Sequence, residues 1–420
     1  MAEKDFVIDN FDVLHNAGYS KQAIEIIQKF GMQQNITNAG YQNFIDVMSE
    51  SPFLVDKFNQ SVQEGRIRNL LFLESGASEG GHYDSNTQTL RVPPISVVYD
   101  SSKSDQMPFK YGLMFVMGHE IQHSFNREMQ NSARSRYMDE IRKEVKKPDG
   151  ERNFTAPMAD YMAVYRRDEA DAQIAGYNAV LSAMRQSNPN LKLKDLAYTT
   201  KRMADFLIKG NNLYPVKFHD DYQYDPETFV IQPTDKNLEA AAHHYFDRNS
   251  ELGCQKNSNY VNHYVRSMLE IAIDVDLAEK ARNPSHKAPF ALDMQGFKVP
   301  RIDNPNEFTN IPLNEYLIES NGLRIKSDKP VPYIDTSTGN AGFFDKMECA
   351  HIEVKPDQFA AMSLSVSGGG KFSNAGGFSV GSNTKAALAN EKQLVSEPKK
   401  EAAPEKETKP DDVPEPDLDF

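Results

Sequence analysis

The most specific chemistry in the chain lies in five consecutive residues, His119-Glu120-Ile121-Gln122-His123. Two histidines at i and i+4 stand one turn apart on one helix face, so both imidazoles can reach a single Zn²⁺. Glu120 sits between them, where a carboxylate can take a proton from a metal-bound water. Gly118 precedes the motif and the apolar run Leu113 to Met117 leads into it. A helix of this kind is apolar on nearly all sides until His119. Two histidines and an acid in such a setting are costly unless something compensates them, and a metal does so. The plainer reading is a pair of hydrogen-bonded core histidines with Glu120 at the surface.

A third ligand has to come from elsewhere. The extended motif with a further histidine at 129 is excluded, because Met129 stands there. The other common choice is a glutamate on a following helix. Asp168, Glu169 and Asp171 lie close together in a segment with helical spacing. Glu169 falls in line with Met162, Tyr165, Ala172, Gly176 and Val180, so it projects from the apolar face and is the expected ligand. Asp168 is the runner-up, on a stripe with Tyr161, Tyr165 and Ala172. Asp171 shares a more polar face and is expected to orient a ligand histidine from behind. Against this stands a solvated charged patch formed with Arg166 and Arg167.

Residues 83–123 resemble the catalytic segment of the neprilysin and endothelin-converting-enzyme family of zinc peptidases. Tyr83, Leu90 and Pro93 match its tyrosine and its extended strand ending at proline. Tyr111-Gly112 matches the helix entry, and Gly118 to His123 with Phe125 matches the motif itself. The resemblance spans residues 80–180 at most. It implies a zincin-like fold, Glu120 as general base, and the strand 89–92 beside the cleft, paired with a bound peptide. The sequence departs from the family in several places. The substrate-gripping Asn-Ala pair falls on Gly80-Gly81. The spacing of Glu and Asp on the second helix meets Gln173 counted from Glu169, and Arg167 counted back from Asp171. No later histidine has an arginine six residues on; His263 with Arg266 is the nearest candidate, beside the plain reading of an amphipathic helix. The chain is shorter than the family's members, which implies a reduced covering lobe.

The elements that would position these residues are legible in part. Apolar spacing predicts short helices over 21–30, 41–48 and 53–62 in a helical N-terminal scaffold, residues 1–75. Residues 76–360 then form the zincin-like catalytic part, with a helical C-terminal portion. Thr89 to Val92 reads as a strand stopped by Pro93-Pro94, resumed over 95–99, and the prolines suit an edge position. Helices are expected over 108–127, 157–185, 238–246 and 261–277, with loops and short strands over 284–345. The fold class is therefore mainly α with a small β-sheet. A Gly/Ser-rich linker, residues 361–396, precedes a tail, 397–420, expected to be disordered. Gly369-Gly370-Lys371-Phe372 is not a phosphate loop, because Phe stands where Ser or Thr is needed.

Composition sets the outer bounds. The 420 residues carry 60 acids and 47 Lys and Arg, a net charge of −13. That balance disfavours a phosphate backbone or an anionic membrane as partner. The last 24 residues hold nine acids and four lysines, so they supply −5 and the remainder carries −8. Cys254 and Cys349 make no disulfide framework. No apolar run reaches spanning length and no signal segment opens the chain, so a cytoplasmic protein is expected, with signal-less export possible. The tail is a candidate contact for a secretion or chaperone partner. These features lead to a zinc metallopeptidase acting on peptide or protein substrates. The alternatives are a zinc amidase acting on a non-protein amide, such as a cell-wall peptide link, and a non-catalytic zinc-containing binding or effector protein.

Overall fold

The computed structural model describes residues 10–33, 36–73, 80–100, 102–210, 214–252 and 258–347, with backbone alone for 249–252. Both cysteines, the Gly/Ser-rich linker and the acidic tail lie outside the described residues.

The described residues open with four helices, α1 (Phe11–Asn16), α2 (Lys21–Gly31), α3 (Asn38–Glu50) and α4 (Pro52–Gln63). Three have a side-chain cap: Ser20, Thr37 and Ser51 accept from the backbone N–H of Ala23, Gly40 and Leu54. Each cap satisfies a donor that the first helical turn leaves unpaired. Ser51 Oγ also donates to the Ala179 carbonyl at 2.8 Å, which ties the start of α4 to a later helix.

A three-stranded sheet follows, of β1 (Asn69–Phe72), β2 (His82–Asp84) and β3 (Thr89–Val92). Its order is β1-β3-β2, with β1 parallel and β2 antiparallel to β3. The expected strand 89–92 is thus present, but it is central. Pro93 lies one residue beyond it, so every N–H within the strand can pair, and both edges of β3 are taken. The edge strands are β1 and β2. The segment expected to resume the strand is instead a 3₁₀ turn, Pro94–Val97, entered at a proline and fastened by Ser96 Oγ on the Pro93 carbonyl at 2.6 Å.

Two long helices form the centre, α5 (Met107–Glu144) and α6 (Thr155–Ser187). At 1.5 Å per residue they run about 57 Å and 50 Å. Helix α5 passes well beyond the expected end at 127, because Ala133, Tyr137, Ile141 and Val145 continue a buried stripe at four-residue spacing. Two glycines set how closely the helices approach. A Cβ at Gly118 would meet the Ala175 carbonyl and the Ala179 Cβ at 2.8 Å, and one at Gly176 would meet the Phe115 ring at 2.6 Å.

The remainder alternates short strands with four further helices. Helix α7 (Leu193–Ala197) leads to the ladder of β4 (Leu207–Ile208) and β5 (Lys217–Phe218). Helix α8 (Asp235–Ala241) runs on into a π-helical turn, Ala242–Phe246. After β6 (Asn249–Leu252) and β7 (Ser258–Asn259) comes α9 (Tyr260–Arg282). Short strands β8 (Phe290–Leu292), β9 (Lys298–Pro300) and β10 (Phe308–Asn310) follow. Helix α10 (Glu315–Ser320) precedes β11 (Val331–Asp335) and β12 (Ala341–Phe344). The fold is mainly α with small sheets. Among the described residues, no helix is long and apolar enough to cross a membrane.

Apolar side chains gather into two cores. The first joins the N-terminal helices and the first sheet to residues 113–121 of α5 and 170–183 of α6. The second joins residues 133–145 of α5 and the start of α6 to α9 and the β8-β11-β12 sheet. Both long helices cross from one core to the other. The polar residues singled out in the sequence lie at that crossing.

Candidate metal and catalytic site

His119, Glu120 and His123 project from α5 toward α6, where Asp168 and Glu169 project back. Burial is deep: Glu169 is 4% exposed, His119 6% and Glu120 7%. The Gly118 and Gly176 contacts permit this, since any larger pair would push the imidazoles away from the acids. The two imidazole rings stand nearly perpendicular, with centroids 4.7 Å apart.

Glu169 faces both histidines. Its Oε2 lies 3.4 Å from His119 Nε2, and its Oε1 lies 4.0 Å from His123 Nε2. Tyr264 of α9 donates to Glu169 Oε1 at 2.5 Å. Oε2 is buried with no hydrogen-bond partner, and so is His119 Nδ1. Burial alone would raise the Glu169 pKa. The two histidines and Tyr264 outweigh it and hold the carboxyl down at about 2. The group is therefore an ionised carboxylate whose Oε2 has only the long 3.4 Å ion-pair contact with His119 and no well-formed hydrogen bond, an arrangement a cation would complete. Ligands tetrahedrally placed about Zn²⁺ at 2.0–2.1 Å stand roughly 3.4 Å from one another. The His119–Glu169 separation meets that spacing. Ligand atoms come within 4.8 Å of one another in two overlapping groups, His119 with Glu120 and His123, and His123 with Asp168 and Glu169, and both offer imidazole and carboxylate donors of the kind that suit zinc.

Asp168 is placed differently. Its Oδ2 lies 2.8 Å from His123 Nδ1 and accepts a short hydrogen bond from Gln130 Nε2. It stands on the Nδ1 side of the ring at ion-pair distance, without a well-aligned hydrogen bond to Nδ1, and leaves Nε2 facing Glu169. Burial would lower the His123 pKa, but Asp168 first, then Glu169 and Glu120, raise it to about 10. Asp171, expected to back a histidine, instead accepts from Gln122 Nε2 at 2.7 Å. The two acids are three positions apart on α6, so the crossing of the helices decides which one meets His123.

Glu120 is pressed against the loop entering β2. A Cβ at Gly81 would lie 2.8 Å from Glu120 Cγ and 2.6 Å from Val116, so the backbone there approaches as only glycine allows. The Gly80-Gly81 pair thus lets the edge strand run directly past the Glu120 carboxylate.

Three features of the site have no sequence signal of their own. Tyr245, on the π turn, faces His119 edge-on with ring centroids 6.0 Å apart. Its hydroxyl is bonded to that of Tyr260, and the Arg202 guanidinium lies close enough to feel both phenols. Arg166, read above as part of a solvated patch, is fully buried. It pairs with Glu239 at 2.5 Å and with Asp247 at 2.7 Å, one acid on either side of the π turn. That clamp fixes the turn carrying Tyr245 to α6, three residues before Glu169. Arg167 behaves as expected of a surface charge and pairs with Asp235. His263 and Arg266 do not converge: His263 meets Asn321, and Arg266 pairs with Glu270. From the same helix it is Tyr264 that enters the site.

Comparison with known proteins gives no match to a family model, to a curated protein or to a solved structure.

Proposed function

We propose that this chain is a zinc-dependent metallopeptidase with a zincin-like site, cleaving peptide bonds in peptide or protein substrates. One observation carries the reading: the ionised, buried Glu169 oxygen without a donor, 3.4 Å from His119 Nε2 across the crossing of α5 and α6. His119, His123 and Glu169 would hold the cation, and Asp168 and Tyr264 would fix His123 and Glu169 in place. When bound, zinc would polarise a substrate carbonyl and lower the pKa of a water in its open position.

Glu120 then serves as general base. Its carboxylate takes the proton of the attacking water and delivers it to the departing amine nitrogen. The edge strand β2 offers backbone groups to an extended peptide, and Gly81 keeps the path past Glu120 clear. Tyr245 is the donor placed to face the oxygen on which charge develops, with Arg202 and Tyr260 holding its hydroxyl. Residues 80–180 carry the likeness to the neprilysin family, and the same likeness supports hydrolysis within a chain rather than at its end.

A peptide-library digest tests this reading. Zinc-loaded protein incubated with mixed unmodified peptides is expected to generate new amino termini at internal positions, detected by mass spectrometry. Cleavage confined to non-protein amides would favour the amidase instead. A fully zinc-loaded chain that cleaves neither would contradict hydrolysis altogether.

A further inference from the structure

A second group of metal-binding side chains lies on the other face of the π turn. His243 and His244 are consecutive, yet both reach Asp221. His243 does so through Nδ1, which sits close to its own backbone, at 3.7 Å from Asp221 Oδ2. His244 does so through Nε2, at the far tip of its ring, at 2.9 Å from the same oxygen. The use of opposite ring nitrogens lets successive residues converge on one point. The three ligand atoms lie within 4.8 Å of one another, and the two measured separations bracket the roughly 3.4 Å expected about a tetrahedral cation.

The surroundings hold this arrangement in place. The His219 ring stacks on that of His244, with centroids 3.9 Å apart, and His219 Nε2 meets the Ala204 carbonyl at 3.1 Å. Tyr222 N–H donates to the His219 carbonyl, closing a turn that presents Asp221. Arg166 clamps the π turn from beneath through Glu239 and Asp247. Yet the His243 side chain is 66% exposed and that of Asp221 41% exposed, so burial does not force the three groups together. The exposed side also leaves room for water to complete a coordination shell.

We infer that Asp221, His243 and His244 form a second, solvent-accessible site for a divalent first-row cation such as zinc, nickel or copper. Imidazole donors with one carboxylate suit these ions, and calcium and magnesium would find too few oxygens. The inference does not depend on the function proposed for the first site.

Zinc titration of the full chain by equilibrium dialysis with metal analysis tests it. Wild type is expected to bind two equivalents. His243→Ala and Asp221→Asn should each lose one equivalent, while His119→Ala loses the other and keeps this one. His243 is exposed, so its variant should retain the fold, which circular dichroism checks. A second equivalent that persists in both His243→Ala and Asp221→Asn overturns the inference. So does a wild type that binds no zinc, or only one equivalent that disappears in His119→Ala. A single equivalent lost in His243→Ala but kept in His119→Ala would uphold it and count against the first site.

Discussion

His123 is held from both sides of its ring, and the consequence is measurable. Asp168 meets Nδ1 at 2.8 Å, and Nε2 faces Glu169. With a pKa near 10 the imidazole carries a proton at neutral pH, whereas Glu169 at about 2 has already lost its own. A cation must therefore displace one proton from His123, and its affinity should rise with pH up to the His123 pKa. The expected gain is about tenfold per pH unit. Zinc affinity measured against a chelator at pH values one unit apart near neutrality checks this. An affinity independent of pH would mean that His123 is not a ligand. That Glu169 turns toward the two histidines is legible in the sequence, because helical phase alone puts it on the apolar face. That Asp168 rather than Asp171 meets His123 is not legible, since it depends on the angle at which two helices cross. Tyr264 reaches Glu169 from a separate helix, and no local pattern announces such a contact.

At the level of elements, the site rests on a close approach of α5 and α6 that two glycines allow. Gly176→Val would drive a side chain into the Phe115 ring and the backbone beside it. Overpacking of this kind costs about 1–3 kcal/mol. Denaturant unfolding should register that loss, and zinc affinity should fall with it because His119 and Glu169 are pushed apart. A variant with unchanged stability and unchanged affinity would contradict the glycine seam. Helix positions were readable from apolar spacing, including α2, α3, α4 and α6 to within a few residues. The length of α5 was missed because its second half is mostly charged, with a stripe only one residue wide. The central place of β3 was missed because Pro93 was counted as part of the strand's surroundings, whereas it falls just past the last paired residue.

On the scale of the whole molecule, two apolar cores share two helices, and the histidines and acids of the candidate site lie where the helices pass between them. A net charge of −13 gives no hint of this, since part of it belongs to the terminal 24 residues. A cation bound at the crossing would join ligands from both helices and stabilise the native state by mass action. At a free zinc concentration one hundred times Kd the gain is about 2.7 kcal/mol. The unfolding midpoint of His119→Ala should rise less with zinc than that of wild type, and an equal rise in the two would remove the crossing as the stabilising site. Peptide hydrolysis at this crossing is tested most directly by comparing wild type with Glu120→Gln at matched zinc content on one peptide substrate. The variant should keep its zinc and lose about 10²–10⁴-fold in kcat, the share a general base contributes. A Glu120→Gln chain that cleaves the peptide as fast as wild type would contradict the role of Glu120 and the mechanism built on it.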